Sequence, residues 1–210
     1  MELNTNTNEK EFLRELALYR AECESALELT LTKLGTARRL IDLSNREDPF
    51  DRIESRVKTV ESILGKCEIR GYDRTIESIK DNIHDIAGLR VVTTFRDEIP
   101  VIEDLIHQIP GVNVVKRKDY ITAPKTTGYK SLHLGCQVEI FTPQGTKLLP
   151  VEVQIRDKAM NLWATIEHKV RYKKTVRSPK AADYFTKMAR ILDEFADVAI
   201  ELRDYEEESA

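Results

Sequence analysis

The chain has 210 residues and a mass of 24.2 kDa, with 33 Lys and Arg against 36 Asp and Glu and a formal charge of -3. That length suits one well-buried domain with helical ends, and a pI near 5.9 argues against a dedicated DNA-binding protein, which carries a basic domain. No apolar run approaches the roughly 20 residues that a membrane helix needs, so a membrane-spanning protein is excluded.

The first residues, MELNTNTNEKEF, carry no cationic segment followed by an apolar one, so no secretory signal and a cytoplasmic location are expected. From Asn8 to about Leu40, Phe12, Leu16, Tyr19, Cys23, Ala26, Leu27, Leu31 and Leu34 recur at the spacing of an amphipathic helix. Turn signals at Ser44-Asn45 through Asp48-Pro49 end it, and a second helix is predicted with Ile53, Val57, Val60 and Leu64 on its core face. A short polar helix between Arg70 and Asn82 precedes Ile86 to Phe95, a mostly buried strand, and Ile99 to Ile109 returns as a helix. Val112 to Val115 reads as a strand feeding an irregular basic loop. In Ser131 to Phe141, Leu132, Leu134, Cys136, Val138 and Ile140 alternate with polar residues as in a half-buried strand. The turn Thr142 to Thr146 joins it to Leu148 to Arg156 in an antiparallel hairpin. Lys158 to Lys174 is a helix with Ala159, Leu162, Ile166 and Val170 inward, and after a break at Ser178-Pro179 comes a last amphipathic helix. That helix, Ala182 to Tyr205, keeps Phe185, Met188, Leu192, Phe195 and Ala199 in register. From Asp193 to Glu208 eight carboxylates accompany one basic residue, the mark of a solvated helix end. Cys23, Cys67 and Cys136 are far apart and odd in number, so buried thiols are expected, not a disulfide framework or a CxxC metal site.

Chemistry concentrates in a few segments. Lys116 to His133 holds five Lys or Arg against one Asp, together with two tyrosines, which points to a small polyanion carrying a flat ring. In Val151 to Arg156, the polar Glu152, Gln154 and Arg156 alternate with apolar residues and share one sheet face. If the hairpin pairs Phe141 with Leu148, Gln137 faces Glu152 and His133 faces Arg156. Asp85 sits where the preceding strand begins, and two carboxylates on adjacent strands are the usual way to hold Mg²⁺ against substrate phosphates. Lys58, Ser62 and Lys66 fall at i, i+4 and i+8, with Arg56 at the upper edge, a stripe able to follow a triphosphate. Neither a Walker A nor a GxGxxG sequence is present, so side-chain cations must do what a glycine-rich nest does elsewhere. His84-Asp85 invites a metal-dependent phosphohydrolase reading, but the other histidines, at 107, 133 and 168, do not supply the partner spacing. His107 is expected at the surface and Trp163 in the core. There is no GxSxG elbow and no Cys-His pair.

Taken together, Arg56-Val-Lys58 with Ser62, Asp85-Ile-Ala-Gly-Leu-Arg90, Lys118-Asp-Tyr-Ile, Pro124-Lys125-x-x-Gly128-Tyr129-Lys130-Ser-Leu-His133 and Val-Glu152-Val-Gln154-Ile-Arg156 resemble the RelA/SpoT-homologue alarmone synthetases, in unbroken order over about Asp51 to Lys173. The flanking helices fit the short members, the small alarmone synthetases. The resemblance implies an α/β (α+β) fold: a nucleotidyltransferase-like mixed β-sheet flanked by helices, with long amphipathic N- and C-terminal helices. It divides the chain into an N-terminal helical extension (1–45), the synthetase domain (46–175) and a C-terminal helical extension (176–210). It implies ATP and GDP or GTP as substrates with Mg²⁺, and transfer of pyrophosphate from ATP to the guanosine 3′-hydroxyl, giving AMP and (p)ppGpp. By position, Arg56 and Arg90 sandwich the adenine, Lys58, Ser62 and Lys66 hold the ATP phosphates, and Asp85 and Glu152 ligate Mg²⁺, with Glu152 also taking the 3′-hydroxyl proton. Tyr129 stacks on guanine, Lys118, Lys125, Lys130 and His133 meet its phosphates, and Gln154, Arg156, Asn161 and Glu167 complete the acceptor pocket.

The basic start of Lys116-x-Lys118-Asp119 differs from some long members, which leaves GDP against GTP open. Neither the hydrolase module nor the ribosome-sensing domains of long relatives is expected. Control then falls to expression, to a homotetramer joined through the terminal helices, or to an allosteric (p)ppGpp or RNA. Two other readings stand beside this one: pyrophosphate transfer to an adenosine nucleotide or a tRNA 3′ end, and a non-catalytic nucleotide or RNA sensor.

Overall fold

The structure, a computed structural model, describes residues 2–43, 48–171 and 179–209. The breaks expected at Ser44-Asn45 and Ser178, and positions 172–174 of the fifth helix, lie outside the described residues. In chain order come α1 (Glu2–Leu43), β1 (Arg52–Val57), α2 (Val60–Arg70), α3 (Ile76–Asn82), β2 (Ala87–Thr93), α4 (Ile99–His107), β3 (Val112–Asp119), β4 (Leu132–Thr142), β5 (Gly145–Asp157), α5 (Lys158–Arg171) and α6 (Pro179–Ser209). The strands form one mixed sheet in the order β1-β2-β5-β4-β3, with β2 and β5 parallel and every other pair antiparallel. This is the mixed α+β architecture expected.

Period-two alternation divides the sheet into an apolar face and a polar one. Leu134, Val151, Val153 and Ile155 are fully buried or nearly so, and α1 packs on β2, β5 and β4, adding Leu16, Cys23, Ala26 and Leu34 to the same core. Full burial of a Leu or Ile side chain contributes about 1.5–3 kcal/mol, so α1 is a major stabiliser of the sheet it covers. The three cysteines are free and buried, and burial raises the Cys23 and Cys136 thiols to about 12, which keeps them protonated and inert.

Across the polar face, directly paired residues line up in rows. One runs Arg56, Gly88, Glu152, Gly135, Lys116, and the next runs Glu54, Arg90, Gln154, His133, Lys118. Side chains far apart in sequence thus stand side by side, as Arg90 does with Gln154, 64 positions on.

Four expectations are corrected. Residues 52–57 are an edge strand instead of the start of the second helix: Thr59 caps α2 through its hydroxyl, and Val60 is the first helical residue. The basic segment is not all loop, because β3 continues through Lys116 to Asp119 past an irregularity at Val114/Lys116. In the β4–β5 hairpin Phe141 pairs with Thr146, so Gln137 faces Pro150 and His133 faces Gln154. The slip is of two residues, which preserves the face of every side chain. Along α5, Leu162 and Val170 are exposed while Met160 and Trp163 are buried, and on α6 Phe195 is exposed while Phe185 and Ala196 are buried. His107 is exposed, as expected.

Candidate active site

A cleft of about 690 Å³ opens on the polar face beneath α5, lined on the sheet side by Arg56, Lys58, Asp85, Arg90, Glu152 and Arg156. Tyr129, Gln154 and Glu167 also line it. Nine of the residues singled out in the sequence therefore meet in one place. The others stand around or away from it. Lys66 touches the cleft through Asp85, and His133 lies behind it against Glu152 and Tyr129. Lys125 covers the Tyr129 ring, its Nζ 4.5 Å from the centroid. Ser62 helps to form the cap of α2 through its backbone N–H, Lys118 is exposed on β3, and Asn161 keeps its Oδ1 buried with no protein partner. Lys130, just before β4, turns the other way, to Asp193 of α6 at 2.7 Å. Glu54, Thr165, His168 and Lys169 line the cleft without having been singled out.

Asp85 is bound from two sides. Lys58 Nζ donates to its Oδ2 at 2.9 Å and to its carbonyl at 2.7 Å, and Lys66 Nζ donates to Oδ1 at 2.7 Å. Lys58, at the end of β1, and Lys66, on α2, converge on one carboxylate although they are not on one helix. Burial pushes the Asp85 pKa up, but the hydrogen bonds and charges of Lys66 and Lys58 outweigh it and hold the carboxyl below its ordinary value. Glu152 behaves alike. Burial raises it, the hydrogen bonds from His133 and Gln154 outweigh that and hold it below its ordinary value, and Asp85 pushes back upward. Both groups are ionised at neutral pH and repel one another.

An ionised Glu152 only accepts hydrogen bonds, so His133 Nδ1–H donates to its Oε1 at 3.2 Å, and His133 Nε2 then accepts from the Tyr129 hydroxyl at 2.7 Å. Arg156 Nη2, which can only donate, closes the chain onto Tyr129 Oη at 2.7 Å. With a neutral His133 ring, the hydrogen bonds run in one direction from Arg156 through Tyr129 and His133 to Glu152. Arg156 is 5 % exposed and forms no ion pair with a carboxylate among the described residues, only hydrogen bonds to Tyr129, Gln154 and Ser131. Burial first, and the nearby charge of Arg90, pull its pKa below the ordinary arginine value against the opposing pull of Tyr129. A buried guanidinium with no direct ion pair among the described residues, eased only by the nearby Glu152 charge, suits an anion in the cleft.

Two ionised carboxylates, Asp85 in the connection just before β2 and Glu152 on the neighbouring β5, share a cleft with Arg56, Lys58, Arg90 and Arg156 and suit a divalent cation bound together with a polyphosphate. Among the described residues no group of three or more His, Cys, Asp or Glu gathers around a metal-sized point. Asp85 and Glu152 still fit Mg²⁺, which takes one or two carboxylates and completes its shell with water and phosphate oxygens. Fold and cleft thus define a mixed α+β protein with a cationic cleft that carries two carboxylates. The family model described as the region found in RelA and SpoT proteins matches residues 55–177. GTP pyrophosphokinase YwaC of Bacillus subtilis is 33 % identical over 171 residues, covering 81 % of this chain and 80 % of its own. The small alarmone synthetase 1 of Bacillus subtilis, in complex with its product pppGpp, superposes with a TM-score of 0.80 at 33 % identity, over 93 % of this chain and 98 % of its own. A GTP pyrophosphokinase family protein from Streptococcus pneumoniae gives a TM-score of 0.81 at 32 % identity, over 95 % and 96 %. The chain belongs to the RelA/SpoT family, on its small alarmone synthetase branch.

Proposed function

We propose that this protein is a (p)ppGpp synthetase, a GTP diphosphokinase that moves the β,γ-pyrophosphate of ATP onto the 3′-hydroxyl of GDP or GTP. The observation that carries the reading is the pair of carboxylates in one cleft, Asp85 just before β2 and Glu152 on the adjacent β5, with Arg56, Arg90 and Arg156 lining the same cleft. Arg56 and Arg90 lie on neighbouring strands and take the adenine between their guanidinium planes, Glu54 holding Arg90 through a 3.0 Å ion pair. Lys58 and Lys66 turn from Asp85 to the ATP phosphates. Tyr129 stacks the guanine, Lys125 moving from the ring to the acceptor phosphates beside Lys118 and Arg156. Bound between Asp85 and Glu152, Mg²⁺ would neutralise phosphate charge as it develops.

In the reaction the acceptor 3′-oxygen forms a bond to the β-phosphorus, the bond from that phosphorus to the bridging α,β-oxygen breaks, and AMP leaves with that oxygen. Glu152 takes the 3′-hydroxyl proton. His133 keeps Glu152 oriented, and Tyr129 keeps His133 oriented. Transfer of this kind asks for positioning and charge neutralisation more than covalent work by the protein. A cytoplasmic location, where ATP and guanine nucleotides are available, fits this reading, and no helix among the described residues is long and apolar enough to cross a membrane.

Incubation with ATP, Mg²⁺ and in turn GDP, GTP, an adenosine nucleotide and tRNA tests the reading. A 3′-pyrophosphorylated guanosine product is expected, and its absence would sink the proposal. Tyr129→Ala is expected to raise the acceptor KM by the equivalent of about 1–3 kcal/mol, one lost base stack, with the ATP KM unchanged. Steady-state kinetics with acceptor varied reads this directly.

We infer also that the protein works as a homotetramer, with α6 as a contact between copies. Tyr184, Met188, Ile191, Phe195, Val198, Leu202 and Tyr205 recur at alternating intervals of four and three, a heptad seam, and all but Met188 are more than half exposed. Such a seam on a helix that already buries its other side fits a matching helix from a second copy. Phe195→Glu is expected to shift sedimentation equilibrium to a smaller species, and an unchanged mass would remove α6 from the interface.

A further inference from the structure

The turn that carries Tyr129 rests on α6. Gly128 N–H donates to the Lys125 carbonyl at 2.8 Å, closing a tight turn in which Gly128 adopts φ 85°, a left-handed conformation suited to glycine. A Cβ added to Gly128 would lie 2.6 Å from the Ala189 Cβ, so the turn meets the helix at a distance only glycine permits. Two residues on, Lys130 Nζ donates to Asp193 Oδ2, while the other Asp193 oxygen accepts from Arg96 Nη2 at 3.0 Å. Arg96 Nε reaches Asp157 Oδ2 at 3.2 Å, and Asp157, 1 % exposed at the end of β5, accepts the Met160 N–H at the start of α5. Trp163, the one tryptophan of the chain, sits in the middle of this joint. Its Nε1–H donates to the Phe185 carbonyl of α6 at 3.0 Å, and its ring lies edge-on to Tyr129 at 6.0 Å.

We propose that Asp193 is a positioning residue of the acceptor site, clamping Lys130 so that the 125–130 turn stays docked on α6 and Tyr129 stays aimed into the cleft. The inference rests on the assignment of Tyr129 to the acceptor purine. The turn itself has two backbone bonds, Gly128 N–H to Lys125 O and Lys125 N–H to Tyr129 O, and exposed residues from 122 to 126, so its internal order is slight. A charge-assisted bond to a long helix fixes it where Gly128 and Trp163 already make contact. Lys130 acts on the acceptor through this clamp and not by touching phosphate, and the acidic stretch of α6 is more than a solvated helix end.

Asp193→Asn, Lys130→Met and the double variant decide the matter in the full-length protein. Each single change is expected to raise the acceptor KM on the order of 10-fold, with kcat and the ATP KM unchanged, and the double variant no further than the larger single, since the Lys130–Asp193 bond is what both changes remove and Asp193→Asn alone also loosens Arg96. Asp197→Asn removes only another partner of Arg96 and is expected to leave the acceptor KM as it was. Acrylamide quenching of Trp163, 2 % exposed in the docked state, is expected to rise in both single variants without any substrate present. Additive KM effects would make Lys130 a phosphate ligand in its own right and overturn the clamp, as would an unchanged KM and unchanged quenching in Asp193→Asn. Lys130→Met breaks the same pair from the turn side, so it decides if the α6 variant folds poorly. The fluorescence arm needs no turnover, so loss of the guanosine-acceptor reading and loss of the clamp give different results.

Discussion

Glu152→Gln is expected to lower turnover by about 10²–10⁴-fold, the range of a lost general base, while nucleotide binding stays close to that of the unaltered protein. The substitution keeps the shape of the side chain, its place opposite Gly88 and Gly135, and an amide oxygen able to accept from His133. It removes the negative charge and the proton acceptor. Because neighbouring hydrogen bonds hold the Glu152 pKa below the ordinary glutamate value, the carboxylate is already ionised at neutral pH, and the rate should fall only as pH drops through that lowered value. A product assay beside equilibrium dialysis of a non-hydrolysable ATP analogue separates chemistry from binding. Unaltered turnover in Glu152→Gln would show that proton transfer and metal binding lie elsewhere, and lost binding would make the residue structural.

How far such a site is legible before any coordinates depends on what period two can carry. Glu152, Gln154 and Arg156 were placed on one face by alternation alone, and a register error of two residues left that face intact because the period divides it. The two-residue error came from the turn: Thr142 and Gly145 close around Pro143-Gln144, a tighter connection than a five-residue turn. Residues 52–57 were misread because Ile53, Val57, Val60 and Leu64 also satisfy helical spacing, although Ile53, Ser55 and Val57 alternate as an edge strand does. That misreading hid Glu54, which stands opposite Arg90 only once β1 pairs with β2. Lys58 and Lys66 were paired for the wrong geometric reason, one helix stripe, and still meet at Asp85. Lys130 precedes β4, so period two does not set its direction, and the resemblance alone assigns it to the acceptor phosphates. Its partner lies 63 positions away on α6, and no local pattern announces a contact at that separation. The burial of Arg156 without a carboxylate was likewise invisible, since it depends on Tyr129 and Ser131 closing over the end of β5.

That buried charge underlies the second large effect. Arg156→Met is expected to reduce kcat/KM for the acceptor by about 2–4 kcal/mol, roughly 30- to 1,000-fold, while thermal stability is unchanged or rises. A guanidinium 5 % exposed and with no direct ion pair among the described residues is costly to bury, and methionine fills a similar volume without that penalty. The groups it leaves behind keep other partners. Tyr129 Oη retains His133 Nε2, Ser131 Oγ retains the Ile155 carbonyl at 3.2 Å, and the Gln154 amide retains Glu152 at 2.8 Å. Only Gln154 Oε1 loses its protein donor, and because Gln154 lines the cleft water takes that place, so the usual destabilisation from a broken buried network is small. Activity and stability move in opposite directions, the signature of a residue kept strained for a ligand. Acceptor kinetics beside a thermal melt of the unliganded protein measures both. A melt that falls by many degrees would show that Arg156 serves the fold, and a small kinetic effect would leave its charge without a phosphate to meet.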